Sequence, residues 1–424
     1  MQKLLANSLS VYNPLLAYGD YFHVRCGAHI LNLIVQDGLK VIGDEIKTIK
    51  TLVKYINGSE VRKAKLRECA IGIGVSISKR LWLDCPIRWN STYRMLERAL
   101  IYCPCYENLK RTDKDLPNIP THDDWSKVKK IVALLKPFDD ITKQFSGRNY
   151  PTANLYFKSV WRIECLLIQY ADSEDEFLKD MAKNMKNKFD KYWENYSVVL
   201  SFAAMMDPRY KFQLIKYCFE HLDPQNGSWK ANQVKDKLYD LFAEYVRNDT
   251  PYDHEASSNV VDDDLPGFSS FAGGTSGNLS QLDIYLEESR LDHHLELDVL
   301  QWWKTNETRH AQVARMARDL LAIPITTVAS ESAFSLGGRV LTKYRASLQP
   351  DTAEALITSR SWLFGYKVKE DPLENGLEVD LPPMCNEEAN KDLEDEDEED
   401  EDEKEDEGEE ENQNEDEVFE QFAI

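Results

Sequence analysis

No two of the eight cysteines stand as a CxxC pair; they are scattered at 26, 69, 85, 103, 105, 165, 218 and 385. That spacing gives no zinc ribbon and no redox dithiol, and it fits reduced thiols in an intracellular protein. No run of about 18 apolar residues occurs, so a transmembrane helix is not expected. The opening MQKLLANSLS has one lysine and a broken apolar run, too weak a pattern for a secretory signal. The glycines of GGR at 337–339 lack the spacing of a phosphate-binding loop and read instead as a helix C-terminal cap. No internal repeat is visible.

What the chain has is size, aromatic rings and localised acid. Its 424 residues suggest two or three domains. A hydrophobic content of 42% with 9 Trp, 20 Tyr and 16 Phe suffices for a sizeable core. The net charge of −23 is unevenly placed. Residues 387–420 hold 23 acids and two lysines, a net of −21, which leaves the rest near −2. Such a block repels itself and is expected to be disordered, either as a lure for basic proteins or as a solubilising tail.

Periodicity predicts a nearly all-helical body. YFHVRC (21–26) alternates as a short strand does. A helix follows over about 28–42, with Leu31, Ile34, Val35, Leu39 and Ile42 on one face and His29, Asn32 and Gln36 on another. Residues 44–70 read as helix and include RKAKLR, a solvated face or a nuclear import signal. From 123 to 220 apolar stripes follow one another, with Pro137 expected to kink or split the first helix. In MMDPRYKF, Asp207 reads as the cap of a helix that opens with Pro208. Residues 248–281 read as a flexible linker. Helices are expected near 282–289, 295–305 and 309–322, in the segment containing Glu331, and again from Pro350.

Four stretches carry a resemblance. RCGAHILNLIVQDGLK, CPIRWNSTYRMLERAL, MMDPRYK and TTVASESAFSLGGRVLTKYRASLQPDTAEALI, in that order, resemble the hAT transposases. The likeness is nearest to plant transposase-derived proteins of the RICESLEEPER and DAYSLEEPER type. The resemblance implies a mostly α chain with a partial ribonuclease-H-like core keeping one or two strands. It implies a remnant of that core over 1–100, a helical insertion over 101–247, the linker, a C-terminal dimerisation region over 282–365 and the acidic tail over 366–424. It also implies a nuclear protein, shortened at its N-terminus, without the BED zinc finger of its kin.

In the family two aspartates and one glutamate bind magnesium or manganese for strand cleavage. Glu331 matches the glutamate, while the expected aspartates lie upstream of YFHVRC, where only Asp20 is found. Glu331 therefore reads as a remnant, with no cofactor and no metal. The rival reading, an active metal-dependent transposase or nuclease, would need two of Asp20, Asp84 and Asp207 beside it. Cys26 and His29 match a CxxH motif, open to a zinc reading that lacks two ligands or to a packed strand–helix junction. Arg88 and Trp89 match a family pair, read as DNA contact by stacking and phosphate pairing or as a buried anchor of RWNSTYRML capped by Asn90 or Ser91. Lys343 and Arg345 are further DNA candidates. Trp302, Trp303, Val313, Met316, Leu320, Leu321, Phe334, Leu356 and Ile357 form either a dimer interface or a private core. The function implied is a non-catalytic protein that dimerises and binds DNA; a scaffold that engages basic proteins through its tail is the third alternative.

Overall fold

The structure is a computed structural model that describes residues 2–11, 15–75, 79–147, 150–194, 196–248, 280–328 and 348–364. Among these residues the regular structure is helical and no strand forms. The helices are α1 (Gln2–Ser10), α2 (Gly27–Leu39), α3 (Gly43–Asn57), α4 (Glu60–Gly72), α5 (Trp89–Ile101), α6 (Cys103–Thr112), α7 (His122–Phe145) and α8 (Tyr156–Ala171). They continue with α9 (Glu176–Trp193), α10 (Val198–Met205), α11 (Lys211–Leu222), α12 (Gly227–Asn248), α13 (Gln281–Glu287), α14 (Val299–Thr305), α15 (Ala311–Ala322) and α16 (Pro350–Phe364).

Helix starts follow local chemistry. Thr121 and Asp124 form a reciprocal capping box at α7, and Ser280 and Asp283 repeat it at α13. Asp175 and Asp298 each accept a backbone N–H from the first turn of α9 and α14. Of the expected kink or split at Pro137, the split does not occur: α7 continues through the proline. Buried residues on both sides of the proline, including Leu134, Leu135, Phe138 and Ile141, hold the helix together where one backbone bond is lost.

One hydrophobic cluster extends from Ile30 to Ile325. α2 lies against α9 and α7, α8 packs on α9, and α15 touches α10, α12 and α14. Close approach explains Gly38, where an added Cβ would stand 2.5 Å from Met185 Cγ. The strand expected over 21–26 is instead a turn and irregular chain. Its side chains are taken up by helices: Tyr21 sits edge-on to Phe202 at 5.4 Å and Arg25 lies over the Tyr192 ring. The helical stretch expected over 44–70 consists of two helices, α3 and α4, separated at Gly58–Ser59.

The start of α5 depends on α2. Neither Asn90 nor Ser91 caps it: Asn90 donates to Asp139, and Ser91 is tied to Cys85 and to the Arg88 carbonyl. The Trp89 N–H donates instead to Asn32 Oδ1 at 3.1 Å, and Gln36 donates to the Pro86 carbonyl. Asn32→Ala leaves that amide without its acceptor. It is expected to lower stability by about 1–2 kcal/mol, read as a lower urea midpoint at unchanged slope.

Candidate functional site

Two junctions join distant parts of the chain. At the first, the entry to α2 receives the segment after α15. Gly27 N–H donates to the Ile325 carbonyl at 2.9 Å, and Thr326 Oγ1 donates to the Phe145 carbonyl at 3.4 Å. Cys26 Sγ lies 3.4 Å from Thr327 Oγ1 and accepts from the Thr327 N–H. A Cβ at Gly27 would meet Ile325 Cγ2 at 2.8 Å, so glycine permits this approach. Cys26 of the RCGAH stretch therefore meets Thr327, 301 positions away. Cys26 faces Thr327, whereas His29 is exposed. Glu331, Phe334, Lys343 and Arg345 lie outside the described residues, as do most of 248–281 and all of 366–424.

The second junction is polar and buried. Asp207, with no exposed surface, accepts from Arg209 Nε at 2.9 Å, Arg209 Nη2 at 2.7 Å, the Arg209 N–H at 3.1 Å and Asn154 Nδ2 at 2.9 Å. It does not cap a helix at Pro208, because its carboxylate is turned to Arg209 and Asn154; its carbonyl closes the turn, and α11 starts at Lys211. Arg209 Nη1 reaches on to the Leu295 carbonyl. Lys211 is buried at a backbone φ of +49°. Its ammonium donates to the Tyr285 and Glu288 carbonyls and sits 4.5 Å from the centre of the Tyr285 ring. Burial lowers its pKa to about 8, opposed by Glu288.

Around this pair the 280–310 segment is tied to α10. Tyr285 Oη donates to the Met205 carbonyl at 3.1 Å, and Trp303 Nε1 donates to the Met206 carbonyl at 2.8 Å. Glu288 pairs with Arg309 at 2.6 Å and stands 3.3 Å from His310 Nε2. Burial lowers the His310 pKa, against the pull of Glu288. Arg209, Lys211, Asn154 and Glu288 escaped the sequence reading, although Arg209 and Lys211 stand in the MMDPRYK stretch itself.

The remaining candidates separate by exposure. Arg88 is exposed beside Trp89, which is 1% exposed and packs against Tyr93. In this conformation the indole offers no face to a base, so the buried-anchor geometry is the one observed. Trp303, Val313, Met316, Leu320 and Leu321 are buried within the chain, and Trp302 packs on the same core. Their apolar surface is already used internally. Leu356 (45% exposed), Trp362 (83%) and Leu363 (76%) on α16 are not covered. Asp84 is held by Lys50 at 3.0 Å and by Thr92. Among the described residues no three His, Cys, Asp or Glu side chains converge as a metal site requires.

The helical body thus receives its C-terminal segment at the MMDPRYK stretch, through Arg209 and Lys211. Three family models match in order: the ZBED1 RNase-like helical domain over 24–134, the hAT-like transposase RNase-H fold over 154–245 and the hAT family C-terminal dimerisation region over 281–363. The chain belongs to the hAT transposase family. It is similar to the rice zinc finger BED domain-containing protein RICESLEEPER 2, 34% identical over 89% of this chain and 56% of that protein. It is 33% identical to DAYSLEEPER of Arabidopsis thaliana over 84% of this chain and 51% of that protein. A maize protein provisionally named an AC transposase is 35% identical over 81% of this chain and 44% of its own length. The chain thus spans about half the length of the curated relatives it matches.

Between pH 8 and 10.5 an unfolded Lys211 holds a proton that the buried one has lost, so this group makes stability rise with pH across that window. The stability of the wild type relative to Lys211→Met should therefore be greater at pH 9.5 than at pH 7.5, measured by urea unfolding. Equal differences at the two pH values would contradict a desolvated amine. Asp207→Ala, which strands the Arg209 guanidinium, is expected to cost about 3 kcal/mol or more in the same assay.

Proposed function

We propose that the chain is a non-catalytic, transposase-derived nuclear protein that forms a homodimer and associates with DNA. The observation that carries this reading is the uncovered apolar face of α16 inside the segment matched as a dimerisation region. Leu356, Trp362 and Leu363 expose large side chains that no other described residue covers, and aromatic residues of this kind are enriched at interface centres. Ile357 lies half-buried on the same helix. In this reading the interface involves α16, and the burial of Trp303, Val313 and Leu320 within the chain supports that choice over them.

DNA association is supported by charge. From Glu60 to Thr112, the span of α4 to α6, 11 lysines and arginines face five acids, a net of +6, while the rest of the chain outside 387–420 nets −8. Lys65, Arg67 and Arg88 on this span are exposed. Binding through such contacts is sequence-tolerant and falls steeply with salt. The absence of catalysis is supported by the donor set. A hard divalent cation needs several free carboxylate oxygens. Asp207 is engaged on both oxygens by Arg209 and by Asn154, and Asp84 is paired with Lys50 and accepts from Thr92, so a divalent cation would have to displace these partners to bind there. The likeness to a protein named as a transposase favours the rival reading of an active enzyme. A magnesium- or manganese-dependent cleavage of DNA by the full chain would establish that rival. A scaffold that holds basic proteins through the 387–420 acids is the third reading, and histone retention without DNA binding would favour it.

Gel filtration with light scattering is expected to give a dimer for the full chain and a monomer for the Leu356→Ser, Trp362→Ser, Leu363→Ser variant. A wild-type monomer would remove the dimer from the proposal.

A further inference from the structure

We propose that α8 and α11 carry a second nucleic-acid surface, one that stacks the unpaired bases of single-stranded DNA. Trp161 on α8 and Tyr217 and His221 on α11 form a three-ring cluster. The centroid separations are 5.8 Å for Trp161–Tyr217, 5.7 Å for Trp161–His221 and 5.9 Å for Tyr217–His221. Tyr217 is 57% exposed, and His221 is exposed as well. The Tyr217 and His221 planes differ by only 24°, so together they present one open aromatic ledge.

Trp161 packs partly against the core, while the exposed Tyr217 and His221 are not part of the buried faces. Val160, Ile163 and Leu167 supply the buried face of α8, and Ile215 and Cys218 supply that of α11. A tyrosine left outward is surface that a partner can cover. The charge around it selects the partner. Lys158 and Arg162 are exposed on α8, and Lys216 on α11 is bound only loosely to Glu220, at 3.9 Å with both side chains about half exposed. Rings edged by cations suit a strand whose bases stack and whose phosphates are negative, better than they suit an apolar protein face or a duplex with its bases buried. Each base stacked on an aromatic side chain contributes about 1–3 kcal/mol, and every base can do so, which makes such a site tolerant of sequence.

The surface lies on different helices from the basic α4–α6 span, so the two are separable by mutation. Fluorescence anisotropy of the full chain would use labelled oligo-dT of about 20 nucleotides and a random-sequence duplex of the same length. The double variant Tyr217→Ala, His221→Ala removes exposed groups only and leaves the core intact. It is expected to weaken oligo-dT binding by about tenfold or more and duplex binding by less than twofold, with Tyr217→Phe retaining wild-type affinity. Lys65→Glu, Arg67→Glu should do the converse. A wild type that binds duplex but not oligo-dT overturns this inference alone. Unchanged oligo-dT binding in the double variant, or equal loss on both probes, also overturns it. A wild type that binds neither probe overturns it together with the DNA association proposed above.

Discussion

The C-terminal segment is fixed to the helical body by one buried carboxylate. Asp207 has no access to water, and an isolated ion there would be strongly disfavoured. The bidentate Arg209 guanidinium and the Asn154 amide offset that cost and, in doing so, set the turn that launches α11. Once that turn is set, Lys211 points its ammonium at the carbonyls of Tyr285 and Glu288, and the following segment has a defined seat. Tyr285 and Trp303 then satisfy the last carbonyls of α10. Breaking the pair would leave a buried charge and several carbonyls without partners at once, which is why these contacts act as a unit.

The same docking determines what the C-terminal region can offer to other molecules. Most of its large apolar residues are spent on the body, since Trp303, Val313, Met316 and Leu320 are interior. Among the described residues the most exposed of its large apolar side chains are Trp362 and Leu363 on α16. A second consequence is electrostatic: the two buried carboxylates Asp84 and Asp207 are paired with Lys50 and Arg209.

Much of the helical architecture was legible along the chain. The stripes at Val128–Phe145, Val160–Leu167 and Met181–Trp193 became buried faces because a 3.6-residue repeat leaves little else for them to do. The errors fall where a neighbour decides. YFHVRC has strand-like alternation but no second strand to pair with, so its rings pack on helices. Of the two outcomes open at Pro137, the split is absent because packing on both sides outweighs one lost bond. Asp207 was read as a local cap, and its side chain turned instead to an arginine two residues on and an asparagine 53 residues back.

The sequence by itself determined the helical class, the segregation of acid into the 387–420 block and the family, since these rest on periodicity, composition and ordered motifs. Only the tertiary structure decided that Asn32 caps α5, that Cys26 meets Thr327, that Trp89 is interior and that α16 is uncovered. The reason is physical: periodicity fixes which side of a helix is apolar, whereas burial and hydrogen-bond partnership depend on which other helix arrives there, and those partners lie tens to hundreds of positions away.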